Sequence, residues 1–356
     1  MTMKTAATAK TAMTVKSGAT LQDTTSPRRT FLHCGAGSLL GAMTGSLAAL
    51  SPGRSGAAPA WPDRPVHLVV LFPAGGASDV LTRMLGEKLQ AHFNQTFVIE
   101  NRTGAGGNIG MASAMSAPAD GYTVASATIG TLSINQFLYS RLGYDPTKDT
   151  GYVSTFWENC NAVVVSSDHP ARTLQEFRSW ALARPQGVSF SSSGVGTTPH
   201  LAGELFGLRT GIKTIHVPFR GAATTEVVSR TIDFAIDNIA SYTPMLKSGR
   251  ARALAVTSAE RWPVFPDVPT MAEAGLADFV FTSWGALVMP PGTPPAIVAQ
   301  LAKAVHDIAL QPAMKDRFLA AGARLVSSTP QETAAFAVSE RVKWKEVVRL
   351  SGAKLD

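Results

Sequence analysis

From Trp61 onward, short runs of β-branched residues alternate with segments whose apolar positions recur every three to four residues. That alternation builds parallel sheets from βαβ units. Residues 66–72 are the first predicted strand; Asp79 to Phe93 follows as a helix with Val80, Leu81, Met84, Leu85 and Leu89 on one face, and residues 97–100 as the next strand. A second helix is expected over 107–116 and a strand over 122–127. A second series opens at Ala162-Val163-Val164-Val165, a continuous apolar run suited to a central strand buried on both faces. Helices over 173–184, 200–208 and 222–229 alternate there with strands over 188–191, 214–217 and 234–237, and the alternation persists to Val256. Thr173, with Glu176 three residues on, has the spacing of a capping box.

Past Trp284-Gly285 the pattern turns helical, through Pro290-Pro291-Gly292-Thr293-Pro294-Pro295 into segments over 296–310, 312–321 and 331–350. These helices need a sheet to cover, and the first series has too few helices for two faces. The chain is therefore expected to return to its first lobe, crossing twice, near Asn161 and near Trp284. Lobe 1 would comprise residues 61–161 and 285–356, and lobe 2 residues 162–284. No repeat of fixed period runs through the chain, which excludes solenoids and propellers.

Three glycine-rich loops each follow a predicted strand and precede a predicted helix: Phe72-Pro73-Ala74-Gly75-Gly76-Ala77-Ser78-Asp79, Asn101-Arg102-Thr103-Gly104-Ala105-Gly106-Gly107-Asn108 and Ser193-Gly194-Val195-Gly196-Thr197-Thr198-Pro199-His200. Free backbone N–H groups and the positive end of a helix dipole meet at such places, which suits an anion. Two of the loops fall in the first lobe and the third in the second. The Gly104, Gly106, Ile109 spacing breaks the dinucleotide fingerprint, and no phosphate-binding G-x-x-x-x-G-K-[ST] occurs. Asp79 reads equally as the N-cap of its helix or as a ligand-facing acceptor. Arg220 either pairs with a carboxylate or lies in solvent, and Asp237 either meets a ligand N–H or hydroxyl or sits in a solvated turn.

Composition narrows the function. The 356 residues exceed one typical domain, 45% hydrophobic and 16% charged content is globular, and no apolar run reaches the ~20 residues of a membrane span. The net charge of +7 is concentrated in residues 1–60; the remainder carries 26 basic and 24 acidic residues, with no nucleic-acid-binding pattern. The seven histidines are scattered, without H-E-x-x-H or cysteine partners, so no metal and no cofactor is expected. Ser191 to Ser193 lack the G-x-S-x-G of a nucleophile elbow. His200 reads as a helix cap or ligand contact rather than a general base; a secreted hydrolase using Ser193 or Thr197 with His200 is the enzymatic alternative. Cys34 and Cys160 cannot form a disulfide framework, and the apolar surroundings of Cys160 predict a buried thiol.

Residues 1–60 read as an export leader. Ser26-Pro27-Arg28-Arg29-Thr30-Phe31-Leu32 resembles a twin-arginine signal, a mildly apolar stretch from Gly35 to Leu50 follows, and Ala58-Pro59-Ala60 supplies small residues for cleavage before Trp61.

Between Trp61 and Asp356 the chain carries, in order, Pro73 to Asp79, Glu100 to Gly110, Asp120-Gly121-Tyr122-Thr123, His216-Val217-Pro218-Phe219-Arg220-Gly221, Arg261-Trp262-Pro263, Pro266 to Gly275 and Pro290 to Pro294. By these stretches it resembles the Bug (TctC-like) family, the periplasmic receptors of tripartite tricarboxylate transporters. Phe219 stands where the family often has tyrosine, and Arg230 where a glycine usually precedes the strand containing Asp233. The resemblance implies an α/β, type II periplasmic-binding fold, two Rossmann-like lobes closing on a carboxylate held by loop amides and waters. It implies a monomeric, non-enzymatic receptor with two partners, a small organic acid and the membrane subunits of a transporter; a ligand sensor docking on a signalling receptor is the alternative. With the loops above, the expected ligand-binding set is Ala74, Gly75, Gly76, Ala77, Ser78, Asp79, Gly130, Gly196, Thr197, Thr198, His200, Arg220, Gly221, Ala222 and Asp237.

Overall fold

A computed structural model of the chain describes residues 61–219 and 222–355. The expected leader, Arg220 and Gly221 lie outside the described residues. The chain opens with β1 (Val66–Val70), whose Val66, Leu68, Val69 and Val70 are fully buried. It is flanked in parallel by β2 (Phe97–Asn101) and β3 (Thr123–Thr128). Helix α1 (Ala77–Phe93) buries Leu81, Leu85 and Leu89, and α2 (Asn108–Met115) buries Met111. The next element, β4 (Gly151–Ser166), is 16 residues long, and the apolar run read at 162–165 is only its end.

The second series comprises α3 (Leu174–Leu182), β5 (Val188–Ser192), α4 (Thr198–Thr210), β6 (Thr214–Pro218), α5 (Thr224–Val228), β7 (Phe234–Asn238), α6 (Ile239–Lys247) and β8 (Ala251–Val256). The last part is β9 (Thr282–Met289), α7 (Pro295–Ala309), α8 (Pro312–Ala320), the short β10 (Arg324–Leu325) and α9 (Pro330–Ser351). The capping-box reading changes. At α3, Thr173 accepts the N–H of Glu176, but the Glu176 carboxylate takes the N–H of Arg172 rather than of Thr173, so the reciprocal box is incomplete. The full box is at α9, between Thr329 and Glu332.

Strand order is β2-β1-β3-β9-β4-β7-β5-β6, with β8 and β10 also on β4. This gives two parallel-stranded halves that share β4. Through Cys160 it pairs with β9, and from Asn161 it pairs with β7 and β8. Buried Thr257 knits the two crossings together: its N–H donates to Asn161 O at 2.8 Å, it accepts the Phe281 N–H at 2.8 Å, and its hydroxyl lies 2.5 Å from Phe281 O. A rotation of one half against the other would be absorbed at these two crossings.

The apolar packing is partly local to each half and partly continuous between them. In the first, Leu301, Val305 and Phe318 of α7 and α8 share a core with Val66, Leu68 and Leu85. In the second, Phe234 packs against Phe177, Phe190 and Phe206 at ring-centroid distances of 4.9, 5.7 and 5.9 Å. Helix α9 serves the junction, with its Trp344 ring 5.3 Å from Phe281. Arg230, in the turn before β7, has φ 62. The turn that glycine usually makes is thus kept by a residue whose Cβ costs about 1–2 kcal/mol in that conformation.

Candidate functional site

A cavity of about 330 Å³ opens between the loops at the strand ends of the two halves. One wall is the β1–α1 loop, where Gly75, at φ 81, makes a turn that L side chains disfavour, and Gly76, Ala77 and Ser78 then face the cavity. The opposite wall is the β5–α4 loop. Gly194 and Gly196 have φ 134 and 81, and Gly196, Thr197 and Thr198 line the space. Both α1 and α4 therefore begin at the cavity. Their N-caps, Gly76 and Thr197, make no side-chain capping bond, so first-turn N–H groups are left for another acceptor.

The rest of the wall is uncharged, with polar groups set into a mostly apolar surface. Thr128, Gly130, Asn135 and Tyr139 come from the end of β3 and the irregular helical segment after it, which includes a π-helical stretch at Gly130–Ile134. Ser193, Asn238, Ser241 and Ser283 add hydroxyls and an amide, and Phe72, Ile129, Val195 and Trp157 supply apolar surface. Among the described residues no charged side chain lines the cavity. Ser78 Oγ and Asn238 Oδ1 are buried without a hydrogen-bond partner.

The charged groups nearby shape the walls from behind. Asp79 is the third residue of α1 and 2% exposed; it neither caps the helix nor faces the cavity, which corrects both readings made from the sequence. Its carboxylate accepts the Gly75 N–H at 2.9 Å, Arg83 Nε at 2.9 Å and Asn101 Nδ2 at 2.8 Å. Asn101 also donates to Phe72 O at 2.9 Å, so the β1–α1 loop is tied at both ends. Burial opposes the charge on Asp79, but the hydrogen bonds from Arg83, Gly75 and Asn101 outweigh it and hold the carboxyl below its ordinary range.

Asp237 is also withdrawn from the cavity. Fully buried, it accepts the Ser193 hydroxyl at 2.9 Å on both oxygens and the Asn238 N–H at 2.7 Å, orienting two lining residues instead of meeting a ligand or solvent. Burial pushes its pKa up to about 6, with Asn238 and Ser193 pulling the other way. The folded state then keeps a proton that the unfolded chain releases, so this contribution to stability is complete below the ordinary carboxylate range and is lost as pH rises through about 6. Relative to Asp237→Asn, the protein is expected to lose on the order of 2–3 kcal/mol between about pH 4 and about pH 7. Parallel pH–stability curves for the two proteins in urea would show that Asp237 is not the group responsible.

The fold also brings together histidines that lie apart in the sequence. His200 and His216 stack at 4.0 Å between centroids, with Glu204 Oε1 3.8 Å from His200 Nε2. Their nitrogen and oxygen atoms lie within 4.8 Å of one another, a spacing suited to a metal ion. The hydrogen bonding does not fit one. His200 Nδ1 accepts the Gly196 N–H at 3.0 Å, which puts the ring's proton on Nε2, the nitrogen that would have to ligate; a ligating imidazole instead donates its other N–H outward. His216 Nε2 is 2.7 Å from Ser192 Oγ, and burial pushes both imidazoles down to about 4. The pair is a neutral support for the β5–α4 loop.

Of the expected set, Gly76, Ala77, Ser78, Gly130, Gly196, Thr197, Thr198 and Ala222 line the cavity. Ala74, Gly75, Asp79, His200 and Asp237 do not; Arg220 and Gly221 lie outside the described residues. Gly106, Asn135, Tyr139, Trp157, Ser241 and Ser283 line it without having been singled out as ligand contacts.

The model of the tripartite tricarboxylate transporter family receptor matches residues 81–352. Protein BugT of Bordetella pertussis is 35% identical over 298 residues, covering 83% of this chain and 91% of that protein. Rpa4515 of R. palustris, solved with adipate, superposes with a TM-score of 0.78 at 34% identity, covering 83% of this chain and 100% of that one. MatC (Rpa3494) from Rhodopseudomonas palustris, with bound malate, gives 0.73 at 30% identity, covering 81% and 100%. The periplasmic binding protein BugD gives 0.74 at 28% identity, covering 83% and 99%. The two-lobed α/β architecture is that of periplasmic binding proteins.

Proposed function

This chain belongs to the tripartite tricarboxylate transporter receptor family of periplasmic solute-binding proteins, and from that premise we propose that it captures a small organic acid and delivers it to a membrane transporter. The observation that carries the reading is the pair of helix N-termini, α1 from one half and α4 from the other, that open on one cavity with their amides uncapped. Each such end favours a negative charge by about 0.3–1 kcal/mol, and by up to ~2 when partly buried. With no charged side chain among the described lining residues, the attraction comes from backbone dipoles, and the apolar walls select the carbon skeleton. The adipate and malate of the two similar structures are dicarboxylates of the kind two facing helix ends would hold.

In this reading residues 1–60 direct export and are removed before Trp61. Residues 61–161 with 285–356 form one lobe, 162–284 form the other, and the ligand bridges Gly76 to Ser78 with Gly196 to Thr198. The protein performs no chemistry on its ligand and acts as a monomer. The test is a thermal-shift screen of carboxylic acids beside their amides and methyl esters. A matching acid at 100 times its Kd is expected to add about 2.7 kcal/mol of stability, and its neutral analogues little. Equal stabilisation by an acid and its ester, or turnover of the ester, would overturn the proposal.

A further inference from the structure

A second cavity, of about 240 Å³, lies beside the crossing strands and has a different chemistry. Its walls are Trp157 on β4, Trp284 on β9 and Phe336 on α9, with Trp284 and Phe336 at 4.9 Å between ring centroids. The charged residues on its lining are both carboxylates, Glu158 and Glu332. Glu332 is engaged in the cap of α9. Glu158 is half-buried, and although its backbone is in the ladders with β9 and β10, its carboxylate has no hydrogen bond or ion pair among the described residues. Arg324, its neighbour across the β4–β10 ladder, is turned to the Trp262 ring at 4.7 Å and to Glu260 at 3.8 Å. Burial pushes the Glu158 carboxyl up, Arg324 pulls it down, and Glu340 and Glu260 push it further up.

A desolvated carboxylate that only the through-space charge of Arg324 offsets, with no hydrogen bond or direct ion pair, still costs free energy that a cation in contact would relieve. Aromatic faces add to that attraction, because a cation over a ring is drawn to its quadrupole and loses less hydration when it is a large, weakly hydrated ammonium. We propose that this second cavity binds a small organic cation of the ammonium class, with Trp157, Trp284 and Phe336 as its walls and Glu158 as its counter-ion. The site differs from the solute cavity in charge and, Trp157 apart, in lining. An ammonium compound in the second cavity therefore touches a side chain that also bounds the first.

The experiment titrates the full chain, after export, with tetramethylammonium chloride and with choline chloride, following tryptophan fluorescence and heat. Sodium chloride at equal ionic strength and the uncharged carbon isostere of choline serve as controls. Both ammonium salts are expected to give a saturable change that neither control reproduces. Glu158→Gln is expected to weaken binding by about tenfold or more, and Phe336→Leu several-fold. Thermal unfolding of the free variants confirms that each is folded, and Phe336, 38% exposed, is a mild site to change if the Glu158 variant is not. Absence of saturation, equal binding of the uncharged isostere, or wild-type affinity in both variants overturns the proposal. Capture of a lysine-containing peptide but of neither free ammonium would also overturn it, in favour of a protein-docking surface.

Discussion

Replacing Gly203 with alanine is expected to destabilise the protein by about 2–3 kcal/mol, although alanine is the better helix former by about 1 kcal/mol. Gly203 lies within α4, and a Cβ built there falls 2.0 Å from Phe190 Cε2 and 2.5 Å from two further ring atoms. The ring has no exposed area and cannot swing aside, because it stacks on His216 at 4.9 Å and packs on Phe234 at 5.7 Å. Helix and sheet must therefore separate, carrying the first turn of α4 away from the cavity. Urea unfolding reads the loss directly. Gly211→Ala is the control, since Gly211 has φ 74 and nothing within 4 Å of its Cβ position, which leaves backbone strain alone. A Gly203 variant as stable as wild type would mean that Phe190 is not wedged as described.

Asp79→Ala is expected to cost about 2–3 kcal/mol and to weaken solute binding as well, because it strips the acceptor from three donors at once. The Arg83 side chain is 47% exposed and can turn to water, so the larger share of the loss comes from Gly75 and Asn101. Those two hold the β1–α1 loop, and releasing them blurs the position of the amides of Gly76 to Ser78. The effect has a signed pH dependence. Since the folded-state pKa of Asp79 is depressed, its contribution is present above the ordinary carboxylate range and is lost as pH falls through the folded value. The gap between wild type and variant in urea should therefore narrow from about pH 7 toward about pH 3. A gap independent of pH would assign the loss to packing instead of charge.

The alternation of β-branched runs with helical periods was enough to place the α/β series and the helical tail, since each of those elements buries one face or both in a regular way. The first ten residues of β4, Gly151 to Cys160, were not legible. Strand residues there are buried on both sides, Ser154 and Asn159 among them, so neither a polar alternation nor an unbroken apolar run marks the strand. The segment around Gly130 to Phe137 was missed for a related reason, since π and tight helical turns have no stable period to detect. Trp157 and Asn135 were lost as lining residues with those elements, and Ser283 with β9, where the sequence pattern was read as turning helical past Trp284-Gly285. The glycine loops, by contrast, announced themselves by composition. Asp79 and Asp237 were misread in part because one partner of each, Asn101 and Ser193, is 22 and 44 residues away in the chain, a separation no local pattern reports.

The central claim is that one solute bridges the two lobes across the cavity between α1 and α4. A ligand that touches both lobes binds the closed arrangement more tightly than the open one, and only that difference in affinity can move the population. Small-angle scattering of the exported protein, with and without the acid that gives the largest thermal shift, measures this directly. The account predicts a smaller radius of gyration on saturation, with a scattering profile that moves toward a more compact particle. Tight binding of that acid with an unchanged profile would contradict it, and would place the solute in a preformed pocket of a single lobe.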